Sequence, residues 1–165
     1  MTTSQPGPPR SHGSEGAATL AEARAIVEAT VWATVTTVGP DGRPRSRLMH
    51  PVWSWDGPAP TALVVARPTP LKLRHLAANP HVACFYWAEH HDTAALDATA
   101  RWLAEEERRA AWEAVAATPP PVGFDPALIW PDGPSSPDFA VLSLTAHRVV
   151  ARRAGAAAAI WRRPN

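Results

Sequence analysis

Apolar side chains change their spacing several times along the chain, and each change marks an element. Leu20, Ala23, Ile26 and Val27 recur at helical intervals, and Thr19 with Glu22 three places on has the form of a capping box, which predicts a short amphipathic helix over 19–29. At 31–38 the period falls to two. That stretch, VWATVTTV, is β-branched and aromatic and ends in the turn sequence GPDGRP. Residues 45–55 alternate polar and apolar, DGP at 56–58 turns the chain again, and 61–67 (TALVVAR) reads as a third strand. Short turns between the three predict an antiparallel meander.

The leucines of 71–78 (LKLRHLAA) fall on one helix face, bounded by Thr69-Pro70 and Asn79-Pro80. The most apolar strand follows at 81–87 (HVACFYW), with a fifth at 93–102. Residues 105–117 form a charged helix with Ala111, Trp112 and Val115 inward and Glu105 placed four before Arg109 for pairing. A proline-rich segment, 118–137, carries Phe124, Asp125, Trp130 and Asp132. Long loops of this kind are often functional; here the segment reads either as a lid over a ligand or as a wrap whose Phe124 and Trp130 plug the side of the fold. Two further strands, 139–144 and 148–152, flank Ala146-His147, and a tail carries Trp161. Six or seven short strands with helices between them predict a mainly β (α+β) antiparallel barrel with flanking helices. Residues 1–17, rich in Pro, Gly, Ser and Thr, read as a disordered tail preceding a domain at 18–165.

Composition narrows the function more than the fold. A chain of 165 residues, 45% hydrophobic, suits one domain with a real core. Its 16 basic and 15 acidic residues give no broad electrostatic face, so nucleic acid is not an expected partner. No apolar run approaches the roughly 20 residues of a membrane span. The single cysteine, Cys84, rules out an internal disulfide framework and fits a reducing, cytoplasmic setting; within the most apolar strand it reads as a small core residue. No G-x-S-x-G, HExxH or phosphate-loop motif occurs. His90, His91 and Asp92 are adjacent and would point to opposite sides of an extended chain, so they read as a solvated turn and no metal site is expected.

One basic cluster remains. Arg45, Arg47 and His50 lie on the second strand, and Arg67, Thr69 and the only lysine, Lys72, follow the third. If those strands are neighbours, Arg47, Arg67, Thr69 and Lys72 converge near the start of the short helix, where backbone N–H groups favour an anion such as a phosphate. The alternative is a set of solvated charges that protect strand edges.

The segments RPRSRLMHPVW, RPTPLKLRHLAANPHVACFYW and SPDFAVLSLTAHRV, in that order, resemble the pyridoxamine 5′-phosphate oxidase-like flavoproteins, the FMN-binding split β-barrels, over residues 20–163. The resemblance implies that Arg47 and Lys72 bind the FMN phosphate with Thr69 nearby. It also implies that Leu48, Met49 and His50 lie along the isoalloxazine ring, followed by Val65, Ala66 and Arg67. It implies a homodimer with flavin at the subunit interface, where Trp130, Arg148 and Trp161 would reach the cofactor from the partner chain. Family oxidases place a serine two before the lysine; Pro70 stands there, and Thr69 is the substitute hydroxyl. The substrate-phosphate residues of the true oxidase are not found, which points to some other small organic substrate.

The expected function is therefore a flavin-dependent oxidoreductase in which the protein supplies position and electrostatics and no catalytic side chain is identified. Two alternatives stand beside it. In related proteins the deazaflavin coenzyme F420 replaces FMN, and the Ala/Arg-rich usage suits the bacteria that make it. A flavin- or haem-binding protein without turnover would instead use His50, His75 or His81 as a haem ligand.

Overall fold

The computed structural model describes residues 12–164. Helix α1 (His12–Thr30) is followed by β1 (Ala33–Val38), β2 (Pro44–Met49), β3 (Val52–Ser54) and β4 (Thr61–Ala66). Helix α2 (Pro70–Ala78), β5 (His81–Trp87) and β6 (Thr93–Trp102) come next, then α3 (Glu105–Ala117), β7 (Ala140–Arg152) and β8 (Ala159–Arg162). All eight strands join one antiparallel sheet in the order β2-β1-β5-β6-β7-β4-β3, with β8 paired to β7.

The order contains the main topological fact. β2 and β3 occupy opposite edges of the sheet, yet only His50 and Pro51 separate them in the chain. The sheet must therefore curl until its edges meet, which makes a barrel with an unpaired seam. The expected meander keeps its two antiparallel pairings, β1 with β2 and β3 with β4, but its second strand is split between the two edges, and β1 and β4 continue to β5 and β7. Proline at 51 cannot donate to a ladder, and the anticipated long second strand breaks there into β2 and β3.

The barrel interior suits an alanine-rich chain. Cross-strand register places Val35, Cys84, Leu96, Val149 and Trp161 in one inward row, and α1 lays Ala23, Ile26 and Val27 against the same core. Tyr86 is fully buried, and its hydroxyl accepts the Trp53 indole N–H at 2.8 Å. Burial pushes the Cys84 thiol up to about 12, consistent with an inert packing role.

Several local expectations change. Thr19 is no helix cap: α1 already runs from His12, and the Thr19 hydroxyl donates back to the Glu15 carbonyl at 2.9 Å. The boundary of the expected tail moves accordingly, since residues 12–17 are helical; residues 1–11 lie outside the described residues. Glu107 rather than Glu105 forms the ion pair near α3, with Arg101 at 2.8 Å. The two late strands are one, β7, with a register shift between Asp97 and Ala98 that leaves His147 as the extra residue of a bulge. The tail around Trp161 is β8, and Trp161 is buried beneath α1 beside Gly16.

A second, smaller core lies on the barrel's flank, where α3 and the 118–137 segment pack. Phe139 is fully buried and meets Trp112 and Trp130 edge-on at 5.1 and 5.2 Å. Trp130 is thus a plug. Trp130→Ala is expected to cost about 3–5 kcal/mol in denaturant unfolding; a loss below about 1 kcal/mol would instead mark a mobile lid residue.

Candidate functional site

A cleft of about 640 Å³ opens at the seam, within the ~300–1,000 Å³ usual for small-molecule and cofactor sites. Arg47, Leu48 and Met49 of β2 and the hinge residue His50 form one wall. Val65 and Ala66 of β4 form another, and Lys72 of α2 closes one end. Thr30, Val31 and Trp32, at the α1–β1 corner, and Pro121, Phe124 and Ile129 of the long loop complete it.

Each wall has a local cause. Val31 has φ 66°, a left-handed conformation that is strained for a β-branched residue, and it ends α1 with its N–H donating to the Val27 carbonyl at 2.8 Å. That turn carries Trp32 to the cleft, where it stays half exposed with its ring 5.2 Å from His50. On the opposite side Gly123 donates to the Pro119 carbonyl at 2.9 Å, and any Cβ at this position would overlap the Thr118 carbonyl. The chain therefore folds back tightly enough to bring Val122 and Phe124 over His50.

His50 joins these parts. Its Nε2 lies 2.7 Å from the Val122 carbonyl, and its ring stacks on Phe124 at 4.8 Å. A carbonyl only accepts, so Nε2 carries the proton and Nδ1 keeps its lone pair in the neutral ring. Burial lowers the His50 pKa from its ordinary value, and the bond to Val122 opposes that shift in part.

The other end of the cleft is cationic. Arg47 and Lys72 are both half-buried, and among the described residues neither forms an ion pair. Arg47 Nη2 donates to the Thr37 hydroxyl at 3.0 Å, and Lys72 Nζ to the Arg67 carbonyl at 2.6 Å. Burial lowers the pKa of each, and the charges of Arg47 and Arg67 lower that of Lys72 further. Two half-buried cations that repel each other are a site prepared for an anion. Arg67 differs: it is exposed, pairs with Asp138 at 2.7 Å and lies 5.7 Å from the Trp130 ring centre.

Arg47, Leu48, Met49, His50, Val65, Ala66 and Lys72 thus line one cleft, brought there by curling of the sheet and not by pairing of β2 with β4. Arg67 and Thr69 lie outside the lining. Thr69 is the N-cap of α2 without a side-chain cap bond, and Pro70 occupies the first helical turn, where its missing N–H costs nothing. The three residues expected from a partner chain do not line the cleft. Within one chain Trp130 and Trp161 are buried, and Arg148 pairs with Asp97 at 2.8 Å. His75 is buried against Thr37, and His81 meets His147 on the outer face. Sequence reasoning missed Val31, Trp32, Pro121 and Ile129, whose only signal was that large apolar groups flank turns.

Comparison with known proteins agrees with this geometry. A family profile described as pyridoxamine 5′-phosphate oxidase matches residues 19–153. Among solved structures, a protein related to general stress protein 26, from Clostridium acetobutylicum and of the pyridoxinephosphate oxidase family, superposes with a TM-score of 0.70 at 18% identity, covering 87% of this chain and 93% of that one. A haem-binding protein from Mycobacterium smegmatis gives 0.66 at 18% identity, covering 87% and 57%. An FMN-binding, pyridoxamine 5′-phosphate oxidase-related protein from Nostoc punctiforme gives 0.55 at 16%, covering 85% and 82%. No curated protein matches the sequence. At these identities the structures attest the shared split barrel alone, whereas the profile spans most of the chain: the protein belongs to the pyridoxamine 5′-phosphate oxidase family.

Proposed function

We propose that the cleft binds FMN and that the protein is a flavin-dependent oxidoreductase acting, as a homodimer, on a small organic substrate. The observation that carries this reading is the pairing of two unneutralised cations, Arg47 and Lys72, with an otherwise apolar and aromatic cleft. A planar ring ending in a phosphate has that chemistry. The FMN-binding relative from Nostoc punctiforme supports the choice. Bound FMN supplies hydride and electron-transfer chemistry at its ring. The chain's own residues do the rest: Arg47 and Lys72 hold the phosphate, Met49, Val65 and Trp32 flank the ring and exclude water, and Phe124 covers it. The deazaflavin coenzyme F420 offers a comparable ring and phosphate to the same groups. A haem reading rests on one observation, that His50 stands in the cleft of a fold shared with a haem-binding protein. The absorption spectrum of the purified protein separates all three.

The homodimer rests on the outer face of the sheet. There the register aligns Leu48, Thr34, Phe85, Ala95, Val150 and Ile160 in one row across six strands. Leu48 is 71% exposed, Phe85 44% and Ile160 49%, an apolar stripe that a second copy would cover. The stripe starts at Leu48, which is also a wall of the cleft, so the proposed interface and the proposed flavin site adjoin. Arg148 lies on this outer face, in the row next to the stripe.

Three outcomes test the reading. Lys72→Ala is expected to weaken FMN binding by roughly tenfold or more, since a charge-assisted phosphate contact contributes about 1.5–3 kcal/mol. Arg74→Ala, two residues after Lys72 and outside the cleft beside Arg45, should leave it unchanged in the same fluorescence titration; equal losses would refute the phosphate assignment. Sedimentation should show a dimer that Phe85→Arg converts to a monomer with weakened FMN binding, and a wild-type monomer holding flavin would defeat both proposals. The third outcome concerns His50. Its folded pKa lies below the unfolded value of about 6.5, so the unfolded state binds more protons in that interval and stability falls as pH drops from the unfolded value through the folded one. The unfolding midpoint of His50→Phe should depend less on pH across that window than that of the wild type.

A further inference from the structure

Behind the cationic end of the cleft lies a second tier of polar groups, out of reach of any ligand. Thr37 is 2% exposed and His75 4%, the least expected residues to be found in an alanine-lined interior. Arg47 Nη2 donates to Thr37 Oγ1 at 3.0 Å, and the same oxygen lies 3.0 Å from His75 Nδ1. A guanidinium only donates, so the hydroxyl accepts from Arg47, and toward Nδ1 it gives its own proton when His75 is in the tautomer that carries hydrogen at Nε2. The three groups form a continuous chain from α2 to the edge strand.

The placement of the chain's two ends matters. His75 follows Lys72 by three residues, so one face of α2 carries both. Arg47 sits opposite Val35 and reaches diagonally to Thr37 on β1. The relay therefore ties the arginine of one cradle wall to the helix that supplies the lysine. Gly39 keeps its far end open: a Cβ there would stand 3.0 Å from His75 Nε2, so a bare backbone leaves the ring its room.

We infer that Thr37 and His75 are positioning residues for the anion site, holding the Arg47 guanidinium at a fixed place beside Lys72. The inference rests on the FMN reading of the cleft. Two cations with no carboxylate between them repel, and Arg47 stands on an edge strand, where among the described residues its side chain is bonded to Thr37 alone. A carboxylate at position 37 would restrain it equally well but would cancel its charge. A hydroxyl whose oxygen is turned toward the guanidinium by His75 restrains the arginine and leaves its charge available to the ligand. Flavin affinity is gained this way through preorganisation, without contact between Thr37 or His75 and the ligand.

The test compares FMN with riboflavin, which has the same ring and no phosphate. The wild type is expected to bind FMN far more tightly. Thr37→Val, close in shape but without the hydroxyl, should weaken FMN binding by about tenfold while changing riboflavin binding by less than about twofold. Thr37→Ser should restore FMN affinity, and His75→Phe should lower it with the same indifference to riboflavin. Thermal midpoints of all variants identify any that fail to fold, and His75→Phe carries the comparison where Thr37→Val does not, with full FMN affinity in folded His75→Phe overturning the positioning role. Equal weakening of FMN and riboflavin, or full FMN affinity in folded Thr37→Val, overturns the positioning role while leaving the FMN reading intact. A wild type that does not prefer FMN to riboflavin overturns the FMN reading and this inference with it.

Discussion

Closure of the sheet across two residues governs everything else in this protein. β2 and β3 sit at opposite edges, and the chain between them has only His50 and Pro51 with which to cross. Two residues span at most about 7 Å, so the edges are forced close without being paired. The gap that results is bridged by no ladder between β2 and β3. It is the cleft. Every group that lines it is there because it borders the seam: β2 on one side, β4 on the other, the end of α1 and the long loop across the top.

The seam also explains why charge can persist there. Arg47 belongs to an inward-facing row whose remaining members are apolar, so its guanidinium lies where the barrel interior meets solvent. Such a position desolvates a cation partly without supplying a carboxylate. Arg67, the residue after the inward Ala66 that ends β4, has already left the barrel and finds Asp138. The difference between an arginine that awaits an anion and one that is neutralised comes from which side of the seam's rim it occupies.

How much of this the sequence disclosed follows from the range of the interactions. Strand and helix identities were legible because they depend on local period: the leucines of α2, the alternation of β5 and the apolar face of α1 fall where their spacing puts them. The cationic pair was legible too, since the only lysine of the chain stands out against fifteen arginines and the family resemblance gave it a role. Strand order was not, because nothing in the turn after Val38 tells β1 that its other neighbour will be β5. The start of α1 was misread because Thr19 has cap chemistry, but its hydroxyl turned back to Glu15 inside a helix already under way. Trp130, Arg148 and Trp161 were assigned by analogy, and within one chain none of them lines the cleft. Thr37 gave no signal and His75 stood out only as one of three candidate haem ligands: nothing links a threonine in a β-rich segment to a histidine in a helix until 38 residues of chain bring them to 3.0 Å.

The long loop is fastened unevenly. Its later part is anchored by Trp130 in the flank core, whereas its earlier part, with Pro121, Val122 and Phe124, touches the barrel chiefly through His50. Such a loop behaves as a cantilever, with folding energy concentrated at the fixed end and ligand contact at the free one. Substitutions near the tip would reshape the ceiling of the cleft while the anchor keeps the barrel intact. The shape of the cleft and survival of the fold are therefore separable properties, and a scaffold built in this way can be reshaped without first being restabilised.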